Sequence, residues 1–277
     1  MDQWGGGERI PRQVHLSQSF KDRLIEMTRN LLFDISRISY PCLQMKRCSQ
    51  KILVTTPETW NSIPMKYRDK SRVFQSIGVY ASDVVEKKVK PFEKGNRFTI
   101  LMAARFLSWK GIQIGIEATK KLLDEGKNVR LLICGSGKKE SDLRNRAEGY
   151  EQIEFLGNVT HTQMNTLYDE ADLFLNCSLH DSGGMVILEA MSRGIPVMYI
   201  NCGGPSVIAD NAGIPIESDR ESNMVDSIHD KINQILFDPS VLASCEVEGL
   251  KKVKHEYLNE DKYDKLLSIL IDKRKGT

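Results

Sequence analysis

The run His180-Asp181-Ser182-Gly183-Gly184-Met185-Val186-Ile187-Leu188-Glu189-Ala190-Met191 carries the strongest chemical signal in the chain. It follows an apolar stretch that ends at Asn176, passes two adjacent glycines and enters a segment of helical patterning. Adjacent glycines let the backbone come close to a ligand. The first-turn N–H groups of a helix suit a phosphate or a developing negative charge. Asp181 on the loop and Glu189 inside the helix are expected to face one crevice, where carboxylates accept hydrogen bonds from vicinal hydroxyls of a ribose or hexose. Glu189 interrupts an otherwise apolar helix, and an acid there is costly to bury without a partner. An internal salt bridge is the competing reading of Glu189.

Arg105 and Lys110 are the second signal. Arg105 lies just past an apolar run and Lys110 stands at the start of the next helical pattern. A guanidinium can hold two phosphate oxygens at once, with an ammonium as a compact charge beside it. At a helix N-terminus the pair would suit a diphosphate; two solvated surface cations are the alternative. Asn201-Cys202-Gly203-Gly204-Pro205-Ser206 is a third run with two glycines before a helix start, and a plain strand-to-helix turn explains it equally well.

These residues need elements to hold them. From Arg97 onward short apolar runs alternate with amphipathic stretches, the pattern of a parallel sheet flanked by helices. Strands are expected over residues 98–103, 129–134, 153–156, 173–176 and 196–200. Helices are expected around Ile112, Ile116, Leu122 and Leu123, with Gly126 as stop signal, around Leu143 and Ala147, around Met164 and Leu167, and over residues 186–191. In a doubly wound sheet the ligand crevice lies beyond the carboxyl ends of the strands, which is where the candidate residues fall. The tail over residues 224–271 reads as helical. Upstream, residues 20–47 read as a long basic helix interrupted near Tyr40-Pro41, and residues 51–56 and 72–77 as strands around a 57–70 segment that starts a helix. The charged stretch 86–95, with Pro91 and Gly95, reads as a linker. The expected division is a partial N-terminal domain over residues 1–88 and a larger domain over 89–277.

Composition excludes several classes. The 277 residues are 40% hydrophobic and 27% charged, with 39 basic and 37 acidic side chains and a formal charge of +2. That is globular and gives no electrostatic case for nucleic acid as a partner. No apolar run approaches the roughly 20 residues that span a bilayer, and the start Met1-Asp2-Gln3-Trp4-Gly5 does not read as a signal peptide. Cys42, Cys48, Cys134, Cys177, Cys202 and Cys245 show no zinc-like spacing, and Cys134, Cys177 and Cys202 read as small hydrophobes, so a reduced, cytoplasmic setting is expected. Gly135-Ser136-Gly137-Lys138-Lys139 is not a P-loop, because Leu132 and Lys139 stand where glycine and Ser or Thr are needed. Asp169-Glu170-Ala171-Asp172 reads as a helix end running into a strand. The five histidines have no spacing that suggests a metal site, and Gly5-Gly6-Gly7 is no dinucleotide fingerprint.

Taken in order, the motifs from about residue 97 to 270 resemble the donor half of GT-B glycosyltransferases, in the large retaining family 4. Arg105 and Lys110-Gly111 match that family's Arg and Lys-Gly, and Gly135-Ser136-Gly137 its Gly-x-Gly loop. Phe155-Leu156-Gly157-Asn158-Val159 matches a Phe-x-Gly-x-Val element, and Ala171-Asp172 an Ala-Asp pair. The family's paired-acid signature aligns with Asp181 and Glu189 and continues to Gly194-Ile195-Pro196-Val197. Gly203-Gly204-Pro205 matches the following Gly-Gly turn. The resemblance implies a GT-B type α/β fold, with a C-terminal Rossmann-like doubly wound parallel sheet and a partial N-terminal α/β domain.

It further implies that Arg105 and Lys110 grip the donor diphosphate and stabilise the departing nucleotide, that Glu189 holds the ribose and that Asp181 bonds the donor sugar. The backbone of Gly183, Gly184, Met185 and Val186 would lie near sugar and phosphate. The reaction would be metal-independent and configuration-retaining, without a cofactor, moving a sugar from a UDP- or GDP-sugar to a saccharide or lipid-linked acceptor in polysaccharide biosynthesis. Two departures stand out. Asp181 replaces the usual Glu and Gly183 a bulky residue. Gly5-Gly6-Gly7-Glu8-Arg9-Ile10-Pro11 also resembles a stretch that normally lies well inside such enzymes, so the front strands of the acceptor domain are expected to be missing. The alternatives are a non-catalytic nucleotide-sugar-binding subunit that needs a partner chain, and a GT-B-like nucleotide-sugar epimerase. The basic segment 20–47 reads either as a solvated helix or as a peripheral contact with the inner membrane face that carries the acceptor.

Overall fold

The computed structural model describes residues 49–86, 92–181, 183–217 and 219–271, together with Leu24, Met27, Thr28, Leu31, Leu32, Ile35, Gln44, Arg47 and Cys48. Those nine scattered positions are helical. The expected break near Tyr40-Pro41, the Gly5-to-Pro11 stretch and residues 87–91 of the expected linker lie outside the described residues.

Two parallel sheets organise the described residues. The smaller pairs β1 (Ile52–Val54) with β2 (Ser71–Val73), joined by α1 (Pro57–Asn61) and α2 (Met65–Arg68). Both strands are shorter than expected, for local reasons. Thr56 caps α1, its hydroxyl accepting from the Thr59 amide at 3.2 Å, and a proline suits a first helical position, so extended geometry stops at β1. Beyond β2 the Gln75 side chain donates to the Thr55 carbonyl at 2.6 Å and the Gln75 carbonyl accepts from Lys262 at 2.9 Å, so side chains replace the ladder there.

The larger sheet has six parallel strands in the order β5-β4-β3-β6-β7-β8. They are β3 (Phe98–Ala103), β4 (Val129–Cys134), β5 (Ile153–Gly157), β6 (Leu173–Asn176), β7 (Val197–Ile200) and β8 (Ile214–Ile216). Successive strand residues point to opposite faces. Ile100, Leu131 and Leu175 join the core under α3 (Ile112–Asp124) and α8 (Glu221–Phe237). Leu101, Leu132 and Phe174 join the core under α5 (His161–Glu170), α6 (Met185–Ser192) and α9 (Ser240–Glu256). Burial on both faces is why β3 and β6 read as continuous apolar runs. The fold is a doubly wound α/β arrangement with a second, smaller parallel sheet.

Strand and helix ends shift by a residue in places, as at β5 and α6, and three larger differences from expectation stand out. β7 begins at Val197, because Pro196 cannot donate to the ladder. β8 was not anticipated: it has three residues with Pro215 in the middle, tolerated because it is the sheet edge. The helical tail starts earlier, at Glu221, and divides into α8, α9 and α10 (Asn259–Ile271). The remaining short helices are α4 (Glu140–Arg146) and α7 (Gly203–Ala209). Among the described residues no helix is long and apolar enough to cross a membrane.

Strand order fixes where a site can form. The chain moves from β3 outward through β4 and β5, then returns to lay β6 on the other side of β3. The switch point therefore lies between the carboxyl ends of β3 and β6, where a crevice opens in this architecture.

Candidate functional site

Arg105 leaves the end of β3 and Asp181 follows the end of β6, so the two residues come from the strands that flank the switch point. Each is set by close backbone packing. After β3 the Ala104 amide donates to the Cys134 carbonyl at 3.1 Å and the Phe106 amide to Ser136 at 2.9 Å. This pairing needs Gly135, whose φ is 126° and whose added Cβ would stand 2.0 Å from the Ala104 carbonyl oxygen. The Gly135-Ser136-Gly137 loop thus supports the strand exit that presents Arg105. The guanidinium itself is exposed and has no hydrogen-bond or ion-pair partner among the described residues.

Lys110 closes a short 3-10 turn, Ser108–Lys110, ahead of Gly111. Gly111 has a left-handed φ of 63°, and a Cβ there would meet the Cys177 carbonyl oxygen at 2.1 Å. Glycine is what lets the start of α3 press against the exit of β6, a contact reinforced by the Leu179 amide donating to the Trp109 carbonyl at 2.8 Å. Lys110 Nζ consequently reaches Asp181 Oδ2 at 2.6 Å. The other carboxylate oxygen of Asp181 accepts from the amides of Gly183 and Gly184, each at 3.1 Å, and the Asp181 carbonyl accepts from Gly204 at 2.7 Å. Burial opposes ionisation of Asp181, but Lys110 and the two amides outweigh it and hold its carboxyl below the usual range. Here Gly204 of the Asn201-to-Ser206 run supports the loop that carries Asp181.

A cavity of about 340 Å³ opens over these groups, lined by Arg105, Lys110, Asp181, Gly183, Gly184, Met185 and Val186 among others. The surface-cation alternative is corrected for Lys110, which is ion-paired, while Arg105 stands at the lip. Glu189 does not line this cavity. It lines an adjacent one of about 430 Å³, with Met185 in the wall of both. The expectation that Asp181 and Glu189 face one crevice becomes two neighbouring cavities, since Met185 and Glu189 are one helical turn apart on α6 and share a face.

Glu189 makes no ion pair among the described residues, so the internal salt bridge is set aside. Its Oε2 accepts from the Tyr168 hydroxyl at 3.1 Å. Burial raises the Glu189 pKa, partly offset by the Tyr168 bond and by His161. Nothing in the sequence singles out Tyr168, although its helical-turn spacing from Met164 puts both on one face of α5. Two cations, one paired and one uncommitted, two carboxylates and a glycine-rich helix start form a site suited to an anionic, hydroxyl-rich ligand.

Residues 83–252 match the family model for glycosyl transferases group 1. The chain is 24% identical to the 2-deoxystreptamine N-acetyl-D-glucosaminyltransferase of Niallia circulans over 241 residues, covering 83% of this chain and 61% of that one. Its fold is similar to that of the pneumococcal O-GlcNAc transferase GtfA, solved in complex with UDP and GlcNAc, with a TM-score of 0.65 at 17% identity over 80% of this chain and 46% of the other. It is likewise similar to Anabaena Alr3699/HepE, solved with UDP and glucose, with a TM-score of 0.67 at 16% identity over 83% and 65%. The chain spans less than two thirds of the length of each of these proteins.

Proposed function

Because this chain belongs to the glycosyl transferases group 1 family, we propose that it binds a nucleotide-diphosphate sugar in the paired cavities and transfers the sugar to a saccharide or lipid-linked acceptor. One observation carries this reading: Arg105, Lys110 and Asp181 converge on one cavity at the switch point between β3 and β6. In this reading Arg105 and Lys110 bind the diphosphate, Asp181 and the Gly183-to-Val186 backbone bind the sugar, and Glu189 binds the ribose in the second cavity. The donor is a UDP- or GDP-sugar; both solved relatives named above were obtained with UDP.

The chemistry follows from charge. The bond between the anomeric carbon and the terminal phosphate oxygen breaks, and the electron pair leaves with the nucleoside diphosphate. The acceptor hydroxyl oxygen bonds to the anomeric carbon, and its proton passes to the departing phosphate. Negative charge grows on that phosphate in the transition state, where preorganised cations act most strongly. Arg105 and Lys110 supply that positive charge, so the proposal calls on no metal and no cofactor. Retention of anomeric configuration and membership of family 4 are carried over from the resemblance.

The proposed division is an acceptor-side part over residues 1–88 and a donor-binding part over residues 89–277. A second reading rests on the two-stranded β1–β2 sheet, since parallel sheets are stable when larger and covered on both faces. There the chain is the nucleotide-sugar-binding part of an assembly whose acceptor side is completed by another polypeptide. Calorimetric titration with a panel of nucleoside diphosphates tests the common core of both. At least one should bind, and Arg105→Ala or Lys110→Ala should each weaken it by about 1–3 kcal/mol, the loss of a charge-assisted hydrogen bond. Donor hydrolysis by the chain alone supports the enzyme; activity that needs an added acceptor-side chain supports the second reading. No binding across the panel rejects both.

A further inference from the structure

The ribose reading of Glu189 leaves a question: what holds a half-buried carboxylate in one orientation on an otherwise apolar helix? The Tyr168 ring is 1% exposed and packs 5.9 Å from the Phe174 ring. Its hydroxyl lies 3.1 Å from Glu189 Oε2 and 3.3 Å from the Val186 carbonyl oxygen, so one donor serves two acceptors on α6. The next residue of α5, Asp169, accepts from Arg193 Nη2 on both oxygens, at 2.5 and 2.6 Å, and from Arg193 Nε on Oδ1 at 3.0 Å. Two consecutive residues of α5 therefore fasten α6 near its start and at its end. Glu189 Oε1 has no hydrogen-bond partner among the described residues, on a side chain that lines the second cavity.

We propose that Tyr168 is a positioning residue: it fixes one oxygen of Glu189 so that the other is presented as a ready acceptor for a ribose hydroxyl. This rests on the proposed function. A tyrosine locked by packing has two torsions, both already fixed, so it lends rigidity at little further entropic cost. Without it Glu189 would sample several rotamers, and each binding event would have to select one. Tyr168 touches neither the sugar nor the phosphates in this scheme; it acts through Glu189 alone.

The consequence separates positioning from general structural support. Tyr168→Phe keeps the ring and its packing while removing the donor. UDP and GDP binding should weaken roughly five- to twentyfold, whereas inorganic pyrophosphate, which has no ribose and needs only Arg105 and Lys110, should bind as in the parent. The pH profile of nucleotide binding should also move. Affinity falls as Glu189 protonates, and the Tyr168 bond lowers that pKa, so the part of the acid limb that pyrophosphate does not share should shift upward in Tyr168→Phe and vanish in Glu189→Gln. The other titratable or charged groups lining this cavity are His161 of α5, Tyr80 and Asp83 at the Ala81–Asp83 turn, and Arg193 just past α6, which is held by Asp169. All are unchanged in the variant, so they enter parent and variant alike.

The test is calorimetric titration of the full chain with UDP, GDP and pyrophosphate over a pH series, for the parent, Tyr168→Phe and Glu189→Gln. Selective loss of nucleotide affinity with an upward-shifted acid limb supports the inference. Equal loss for pyrophosphate, or an unmoved limb, overturns it, while nucleotide binding by the parent keeps the proposed function. A parent that binds no nucleotide rejects both. If Tyr168→Phe does not fold, 3-fluorotyrosine at this position keeps the shape and strengthens the donor. The acid limb should then move downward, and an unmoved limb overturns the inference.

Discussion

Lys110 Nζ lies 2.6 Å from Asp181 Oδ2, so a diphosphate bound as proposed would share that cation with a carboxylate of the protein. The same Asp181 orders the glycine loop through its other oxygen. The cation and the loop geometry therefore depend on one side chain, as does the sugar contact in the proposed binding mode. In Asp181→Asn the amide oxygen can keep the bonds from Gly183 and Gly184, while the lost charge releases Lys110. The bare nucleoside diphosphate should then bind more tightly, by roughly three- to tenfold, the scale of a partly exposed ion pair. Sugar transfer should fall at the same time. Titration beside initial-rate measurements checks both halves, and weaker diphosphate binding would contradict this view of the pair.

Gly111 and Gly126 make a matched comparison. Both have left-handed φ, 63° and 74°. A Cβ at Gly126 meets nothing within 4 Å, whereas at Gly111 it would stand 2.1 Å from the Cys177 carbonyl oxygen. Gly126→Ala should cost about 1–2 kcal/mol, the conformational strain alone. Gly111→Ala should cost at least about 1 kcal/mol more and should also weaken diphosphate binding, because Lys110 is displaced with the turn. Denaturant unfolding of the two variants reads the difference.

Lys262 links α10 to the exit of β2 through the Gln75 carbonyl. Burial, helped by Lys265, pushes its pKa down to about 8 from an ordinary value of 10.5. Between those values the unfolded chain holds a proton that the folded chain has released. The contribution of this group to stability therefore rises with pH across that window and is least favourable below about 8. Unfolding free energies measured at pH 7.5 and 9.5 should show a larger gain for the parent than for Lys262→Met, in which this titration is absent. Equal gains would mean that Lys262 keeps its ordinary pKa.

His229 has the opposite sign. Burial works against its charge, but hydrogen bonds to Asp230 and Glu125 and the charges of both outweigh this and raise its pKa. The Glu125 contact, at 2.8 Å, ties α8 to the turn after α3, while Asp230, at 2.9 Å, is the neighbouring residue of α8 itself. The stabilisation is full below the unfolded value near 6.5 and is lost as pH rises through the folded value. His229→Gln should thus lose more stability, relative to the parent, at pH 5.5 than at pH 8.5. A difference independent of pH would show that the imidazole is not charged in the folded chain.

Much of this was readable because the sheet buries both faces: the runs at β3, β4 and β6 have no amphipathic ambiguity, and Arg105 and Asp181 follow directly where those runs end. The glycines were readable as close approaches, but not what they approach; that Gly111 meets Cys177 and Gly135 meets Ala104 depends on strand order. The split of Asp181 and Glu189 between two cavities depends on how α6 rolls against α5, a packing outcome with no local signal. Tyr168 was hidden for the same reason, since its position reads as core and only its hydroxyl reaches the site. β8 was hidden by its length and by Pro215.

The most direct test of the central claim is a crystal structure with a nucleotide-diphosphate sugar bound. Diphosphate oxygens within hydrogen-bonding distance of Arg105 and Lys110, with the ribose against Glu189 and the sugar beside Asp181, are the predicted result. A nucleotide seated elsewhere on the chain, or one whose phosphates ignore both cations, would contradict the account.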